Sequence, residues 1–397
     1  MYKRAKIFFI IFIIIFINFL TLDFLLIDVE KTALIVALGV DKIDEGYEVT
    51  VQIAVPEATN QSTKSNESVI YAKGETLYQA VNRIGKETGW YPKLSFCNLI
   101  ILGSSVFEDN VMSVVDFFIR SYKVEDSAIL CASEESAKSV LNSISPLDNI
   151  SSFALSKIFV RDYNTASPIL TTSVKEFSEN YYSNASYGYM PLIKMIETED
   201  NGNNTSQASS VGTQSGKGGD DGKSTPVVYD ATSAVIFSGG NMVGKVSGDE
   251  CLFFSLLDKP ANEDYFSLNV TKSNENGLAL ISVRKSKNKV NLTLENGTPV
   301  LNAELKVWLK VDDGNFPESM KEIATLGKLS EKTLKDASKY IEETLKTFFS
   351  YVKSVNADVF GIKNMLYRYH YKEYEKLSEN VFQNTEFKIK VTSYNYI

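Results

Sequence analysis

The sequence predicts a mixed α/β (α+β) protein led by one N-terminal transmembrane helix. Three observations predict it. An unbroken apolar stretch opens the chain, β-type runs alternate with amphipathic helical patterns through the first 150 residues, and strands precede long helices in the last third. The 397 residues are 44% hydrophobic and 23% charged, an ordinary globular balance. With the apolar leader and one polar tract set aside, the remainder suits two or three cores at roughly 100–200 residues each.

The leader comes first. Lys3, Arg4 and Lys6 make residues 1–6 a basic stub, and the 21 residues Ile7–Ile27 that follow are apolar apart from Asn18, Thr21 and Asp23. As a helix such a run spans about 30 Å, the thickness of a bilayer core. The segment ends NFLTLDFLLI, without the paired small residues of a cleavage site, and the first cysteine is Cys97, so no lipidated cysteine follows it. An uncleaved signal-anchor is therefore expected. The basic stub places the N-terminus in the cytoplasm and the body outside.

The body is expected to hold three mixed α/β domains: 28–150, 151–197 together with 226–260, and 261–397. Leu34–Val40 and Tyr47–Val55 flank the turn-rich DKIDEG and read as a hairpin closed by Pro56. Residues around Asn60–Ser68 read as an exposed loop. Thr76 caps a helix with Leu77, Ala80, Val81 and Ile84 on one face and Gly85 and Gly89 at its end. Phe96–Leu102 is a buried strand, Val111–Arg120 a helix, Ser127–Cys131 a strand, and Ser133 opens a short helix to Leu141.

Ser173 starts a helix carrying Val174, Phe177 and Tyr181, and Pro191–Ile196 is a strand. Of the 28 residues Thr198–Thr225, 20 are Gly, Ser, Thr, Asn or Gln and only Ala208 and Val211 are apolar, so a flexible linker is expected there. Ala231–Phe237 and Met242–Val246 then flank a Ser-Gly-Gly-Asn turn, Asp249–Leu257 is helical, and strands follow at Ala279–Arg284, Lys289–Leu294 and Leu301–Val311. Ser330 opens a long helix with Leu334, Ala337, Ile341, Leu345, Phe348 and Val352 along one face. Tyr367–Tyr374 is part of another helix, and Phe387–Val391 closes the chain as a strand with Lys388 and Lys390 outward.

Composition excludes more chemistry than it suggests. There are 41 Lys and Arg against 49 Asp and Glu, a net charge of −8, and no long basic run, so nucleic acid is a poor partner. One histidine and three separated cysteines (Cys97, Cys131, Cys251) leave no metal-ligand spacing and no disulfide framework. Cys97 and Cys131 sit in apolar runs and read as small buried hydrophobes. Gly222-Lys223-Ser224 ends like a phosphate loop, but Lys217 stands where the leading glycine belongs and no strand precedes it. Asp312-Asp313-Gly314 starts like a calcium loop without its alternating acids and reads as a plain turn. His370, in YRYHYKEY, would have to serve any histidine-dependent catalysis, and a tyrosine stripe at helical spacing reads as packing or as an interface instead. No catalytic, cofactor-binding, metal or lipidation residue is expected, and no cofactor.

Several segments in order carry a resemblance. Thr32–Glu57 (TALIVALGVDKIDEGYEVTVQIAVPE), with Gly39, Val40, Asp41 and Lys42 ending its first strand and Val49–Ile53 forming the second, resembles the opening of the Ger(x)C proteins. These are the C subunits of bacterial spore nutrient germinant receptors. Gly74–Ile84, Asn98–Gly103, Ala234–Gly244 and Val283–Lys287 are similar to later segments of that family, and Asp358–His370 (DVFGIKNMLYRYH) is similar to its final helix start through Asp358, Phe360, Gly361, Tyr367 and His370. The lipidated cysteine of the family is absent here, and its Trp-rich, Pro-containing stretch is reduced to SENVFQNTEF. The resemblance implies three mixed α/β domains on the outer face of the inner spore membrane. It also implies two partners, a polytopic A subunit and a transporter-like B subunit.

The expected function is that of a membrane-anchored, extracytoplasmic, non-enzymatic receptor subunit acting in germination by protein–protein contact, with no small-molecule ligand of its own assigned. The alternative is an extracytoplasmic solute-binding or envelope-scaffold protein unrelated to germination.

Overall fold

The computed structural model describes residues 9, 12–13, 16, 32–54, 67–120, 124–146, 151–159, 169–197, 226–258, 264–272, 275–315, 328–377 and 380–396. The expected transmembrane helix is not supported: among the described residues no helix is long and apolar enough to cross a membrane. Of Ile7–Ile27 only Phe9, Phe12, Ile13 and Phe16 are described, so the rest of that expectation lies outside the described residues. A span needs about 20 apolar residues on one continuous helix, and the described residues hold no such helix. The membrane anchoring in the expected function and location loses its support with that helix, and the placement on the outer face of the inner spore membrane is left with the resemblance alone. The polar tract 198–225, including Gly222-Lys223-Ser224, also lies outside the described residues.

The strands are β1 (Thr32–Ile43), β2 (Gly46–Ala54), β3 (Glu67–Gly74), β4 (Tyr91–Lys93), β5 (Leu99–Leu102), β6 (Ile129–Ser133), β7 (Thr172–Ser173), β8 (Tyr187–Glu197), β9 (Val227–Ser238), β10 (Asn241–Val246), β11 (Asp264–Lys272), β12 (Glu275–Glu295), β13 (Thr298–Asn315) and β14 (Glu386–Asn395). The helices are α1 (Leu77–Thr88), α2 (Met112–Arg120), α3 (Ala137–Asn142), α4 (Ser151–Phe159), α5 (Val174–Tyr182), α6 (Asp249–Asp258), α7 (Glu331–Ser354), α8 (Ile362–Tyr369), α9 (Tyr371–Leu377) and α10 (Val381–Asn384).

The first ten strands make one sheet in the order β10-β9-β8-β6-β5-β1-β2-β3, with β4 beside β1 and β7 beside β6. Its centre is parallel, through β1–β5, β5–β6 and β6–β8, and its flanks are antiparallel hairpins. The β6–β8 pairing (Ala132 opposite Leu192) joins segments from both sides of residue 150, so the boundary expected there falls within one sheet. Parallel strands need crossovers, and helices cover both faces. β5 shows the consequence: Ile100 and Leu102 face a core shared with α1, α2 and α5, while Leu99 and Ile101 face another shared with α3 and α4. All four side chains are fully buried, which is why this strand reads as an uninterrupted apolar run.

The second sheet, β11-β12-β13-β14, is antiparallel except for the last pair. Residues 279–284 and 289–294, expected as separate strands, belong to the single strand β12, which bends at register shifts between Leu280 and Ile281 and between Val283 and Lys285. Asn296 and Gly297, both at positive φ (51° and 84°), turn it into β13, as Asn-Gly does in tight hairpins. Asp312-Asp313-Gly314 continues β13 instead of turning, because β12 supplies partners for Asp313 and Gly314 and Asp312 is held by Arg284 at 2.8 Å.

α7 ties the two sheets together. Ala337, Ile341 and Leu345 pack on the second sheet with Leu252, Phe253 and Leu256 of α6. One turn on, Phe348, Phe349 and Val352 meet Tyr189, Ala234 and Ile236 of the first sheet. The helix starts where expected, because the Ser330 hydroxyl accepts from the Thr333 amide at 3.2 Å. Ser330→Ala should cost about 1 kcal/mol, read as a small drop in thermal midpoint. The outer edge of β14 is covered by the same helix: Glu342 accepts from the Val391 amide at 2.8 Å and Ser338 from the Ser393 amide at 3.1 Å. This blocks the edge against further strand pairing.

Candidate functional site

Two of the segments that carry the resemblance, Thr32–Glu57 and Asp358–His370, each turn on a buried aspartate. Asp41 ends the buried part of β1 and is only 6% exposed. Its carboxylate accepts from the amides of Ala137 (2.8 Å) and Lys138 (2.9 Å), the opening residues of α3, nearly a hundred residues away. Ser136, not Ser133, caps this helix by accepting from Ser139, since Ser133 is consumed in β6. The free amides of the first turn are thereby satisfied by the protein itself, leaving no vacancy for an anion.

The surroundings are built to fit. Gly103 leaves the space the Asp41 carboxylate occupies, and a Cβ at Gly39 would stand 2.9 Å from that of Ala137. Glu48 pairs with Lys138 at 3.2 Å, and the Lys138 ammonium lies over the Tyr71 ring, 3.3 Å from its centre. Lys42 pairs with Asp109 at the rim. Burial pushes the Asp41 carboxyl up from its ordinary value, against the pull of the two amides.

Asp358 repeats the device locally. It is 3% exposed and accepts from the amides of Ile362 (2.9 Å) and Lys363 (2.8 Å) at the start of α8. Gly361 supplies the left-handed turn (φ 66°) that brings the helix back over the carboxylate. Burial pushes the Asp358 carboxyl up to about 7, opposed by those amides and by the Lys363 charge. Phe360, between them, is an aromatic hub: its ring lies 5.3 Å from Phe254, 5.5 Å from Phe349 and 5.7 Å from Phe387, joining α6, α7 and β14.

His370 stands at the joint between α8 and α9. Its amide donates to Leu366 and its carbonyl accepts from Glu373 and Tyr374, so its backbone sets the angle between the two helices. Cys97, Cys131 and Cys251 are buried and free, and burial raises their thiols, Cys97 and Cys251 to about 12. No group of three or more His, Cys, Asp or Glu among the described residues is placed to hold a metal ion.

What remains is surface. A groove of about 420 Å³ runs along α1 and β4, lined by Tyr78, Val81, Trp90, Tyr91, Pro92 and Phe117. A second aromatic cluster sits on α8 and α9, where Tyr367 lies 5.5 Å from Tyr371 and 5.3 Å from Tyr374. The tyrosine stripe was legible in the sequence; the groove was not, because it forms only when β4 pairs with the start of β1.

Comparison with known proteins gives these features a context. Residues 27–195 match the family model described as the spore germination protein N-terminal domain, and residues 232–394 match the one described as spore germination B3/GerAC-like, C-terminal. No curated protein matches. Among solved structures, one titled "Crystal Structure of the GerBC protein" is similar with a TM-score of 0.51 at 17% identity, over 91% of this chain and 97% of that chain. At that identity the likeness concerns the fold.

Proposed function

Since the chain belongs to the GerAC family of spore germination proteins, whose members are non-catalytic receptor subunits, we propose that it works in a nutrient germinant receptor by contact with the A-type and B-type subunits. One observation carries the contact mechanism. The aspartates of both motifs are used up in holding the fold: Asp41 and Asp358 cap helices and Phe360 packs, so these three residues present no reactive group. The exposed aromatic surfaces on α1–β4 and on α8–α9 are among those the described residues offer a partner.

The test is genetic. Spores lacking the gene should lose the response to at least one nutrient and keep the response to non-nutrient triggers. A His370→Gln copy should restore the nutrient response, because a joint built from backbone hydrogen bonds tolerates a neutral side chain. If that variant folds and assembles but stays silent, contact is insufficient and a chemical role for the imidazole returns. If deletion leaves every nutrient response intact, the receptor assignment falls.

A further inference from the structure

α9 is a helix with no buried residue. A seven-residue helix is far too short to persist on propensity alone, and helices in proteins are held chiefly by the apolar face they bury. Here only Tyr374 and Leu377 lean, half-covered, on the core beneath. The remaining aromatic surface points outward: Tyr367 is 43% exposed, Tyr369 74% and Tyr371 50%. The rings of Tyr367, Tyr371 and Tyr374 associate with each other across the His370 joint, with Tyr371 and Tyr374 stacked at 6.5 Å. Tyrosines held rigidly against one another bury large area at small entropic cost when a second surface covers them, which is why they recur at binding hot spots.

Charge says what that second surface is. The chain carries a net −8, yet α8 and α9 hold Lys363, Arg368, Lys372 and Lys376 against only Glu373 and Glu375. A basic rim around exposed tyrosines on an otherwise acidic protein complements an acidic partner face and disfavours the face-to-face pairing of two such patches in a symmetric dimer.

We propose that the tyrosine face of α8–α9 is the docking surface for an acidic face of a receptor partner subunit. The proposal rests on the receptor-subunit reading. Partner burial then completes the stability of α9, so binding and the ordering of this helix are linked.

The experiment uses the tagged full-length chain in spores lacking the native copy, and measures recovery of the A-type and B-type receptor subunits on the tag. Two variants change only exposed positions: Arg368→Glu/Lys372→Glu/Lys376→Glu, and Tyr371→Ala. Lys335→Glu/Lys346→Glu, on the exposed side of α7, controls for charge alone. Both test variants should keep the wild-type melting temperature and lower recovery of a subunit by about tenfold or more. The control should recover it fully. Equal recovery by wild type and both variants overturns the docking surface and leaves the receptor assignment standing. Wild type that recovers neither subunit overturns the assignment, and the proposal with it. A wild-type self-association abolished by the triple reversal assigns the face to a second copy and equally overturns the proposal.

Discussion

Gly103→Ala should lower stability by about 3–5 kcal/mol, a thermal shift on the order of 10 °C. A Cβ at this position would overlap the Asp41 carboxylate and stand 2.9 Å from the Ala137 amide nitrogen. The obstacle is a buried carboxylate fixed by two hydrogen bonds, so it cannot swing aside without freeing the amides of Ala137 and Lys138. Overpacking and lost capping therefore add. Gly89→Ala is the matched control: its φ of 73° is unfavourable for alanine, but nothing lies within 4 Å of the new Cβ, so only about 1 kcal/mol should be lost. Thermal melts that place the two variants together would show that Asp41 does not occupy this space.

Asp358 should make stability fall as pH rises. Its carboxyl titrates near 7 in the folded protein and near the model-peptide value of 3.8 when unfolded. Between those values the folded state binds more protons than the unfolded state, so the stabilisation present below about pH 4 is lost as pH climbs through 7. The contribution of this one group should decline by about 3 kcal/mol from about pH 5 to about pH 8. Asp358→Asn keeps an acceptor at the head of α8 but cannot ionise. Urea unfolding of both proteins at the two pH values isolates the difference: the wild type should lose stability relative to the variant as pH rises. A parallel pair of curves would mean that the amides of Ile362 and Lys363 outweigh burial.

How much of this was legible beforehand depends on how far apart the interacting groups lie in the chain. Thr76, Ser173 and Ser330 start their helices as read, because each hydroxyl accepts from an amide three residues on. The Ser173 amide adds the reciprocal bond by donating to the Glu176 carboxylate, a complete capping box. The β1–β2 hairpin and the face of α7 were equally plain, since turn chemistry and helical periodicity act within a few residues. Asp358 also bonds locally, at four and five residues' separation, although the sequence marks it only through the resemblance. By contrast the polar run around Asn60–Ser68 reads as a loop although β3 starts at Glu67, and no local signal marks α4. α4 is anchored by Gln52, whose side chain accepts from the Ser152 amide at 3.1 Å from a hundred residues away.

By itself, then, the sequence determined the local vocabulary: which residues start helices, which faces turn inward, where Ser238-Gly239-Gly240-Asn241 turns one strand into the next, and how little reactive chemistry a single histidine and three separated cysteines permit. The tertiary structure alone decided that β6 pairs with β8, merging two expected units into one sheet, and that Asp41 closes a helix 96 residues further on. The physical reason is that backbone amides and carbonyls carry no residue-specific label. Which strand a strand pairs with, and which carboxylate reaches which helix, is settled by the shape of the whole core and not by any segment of it.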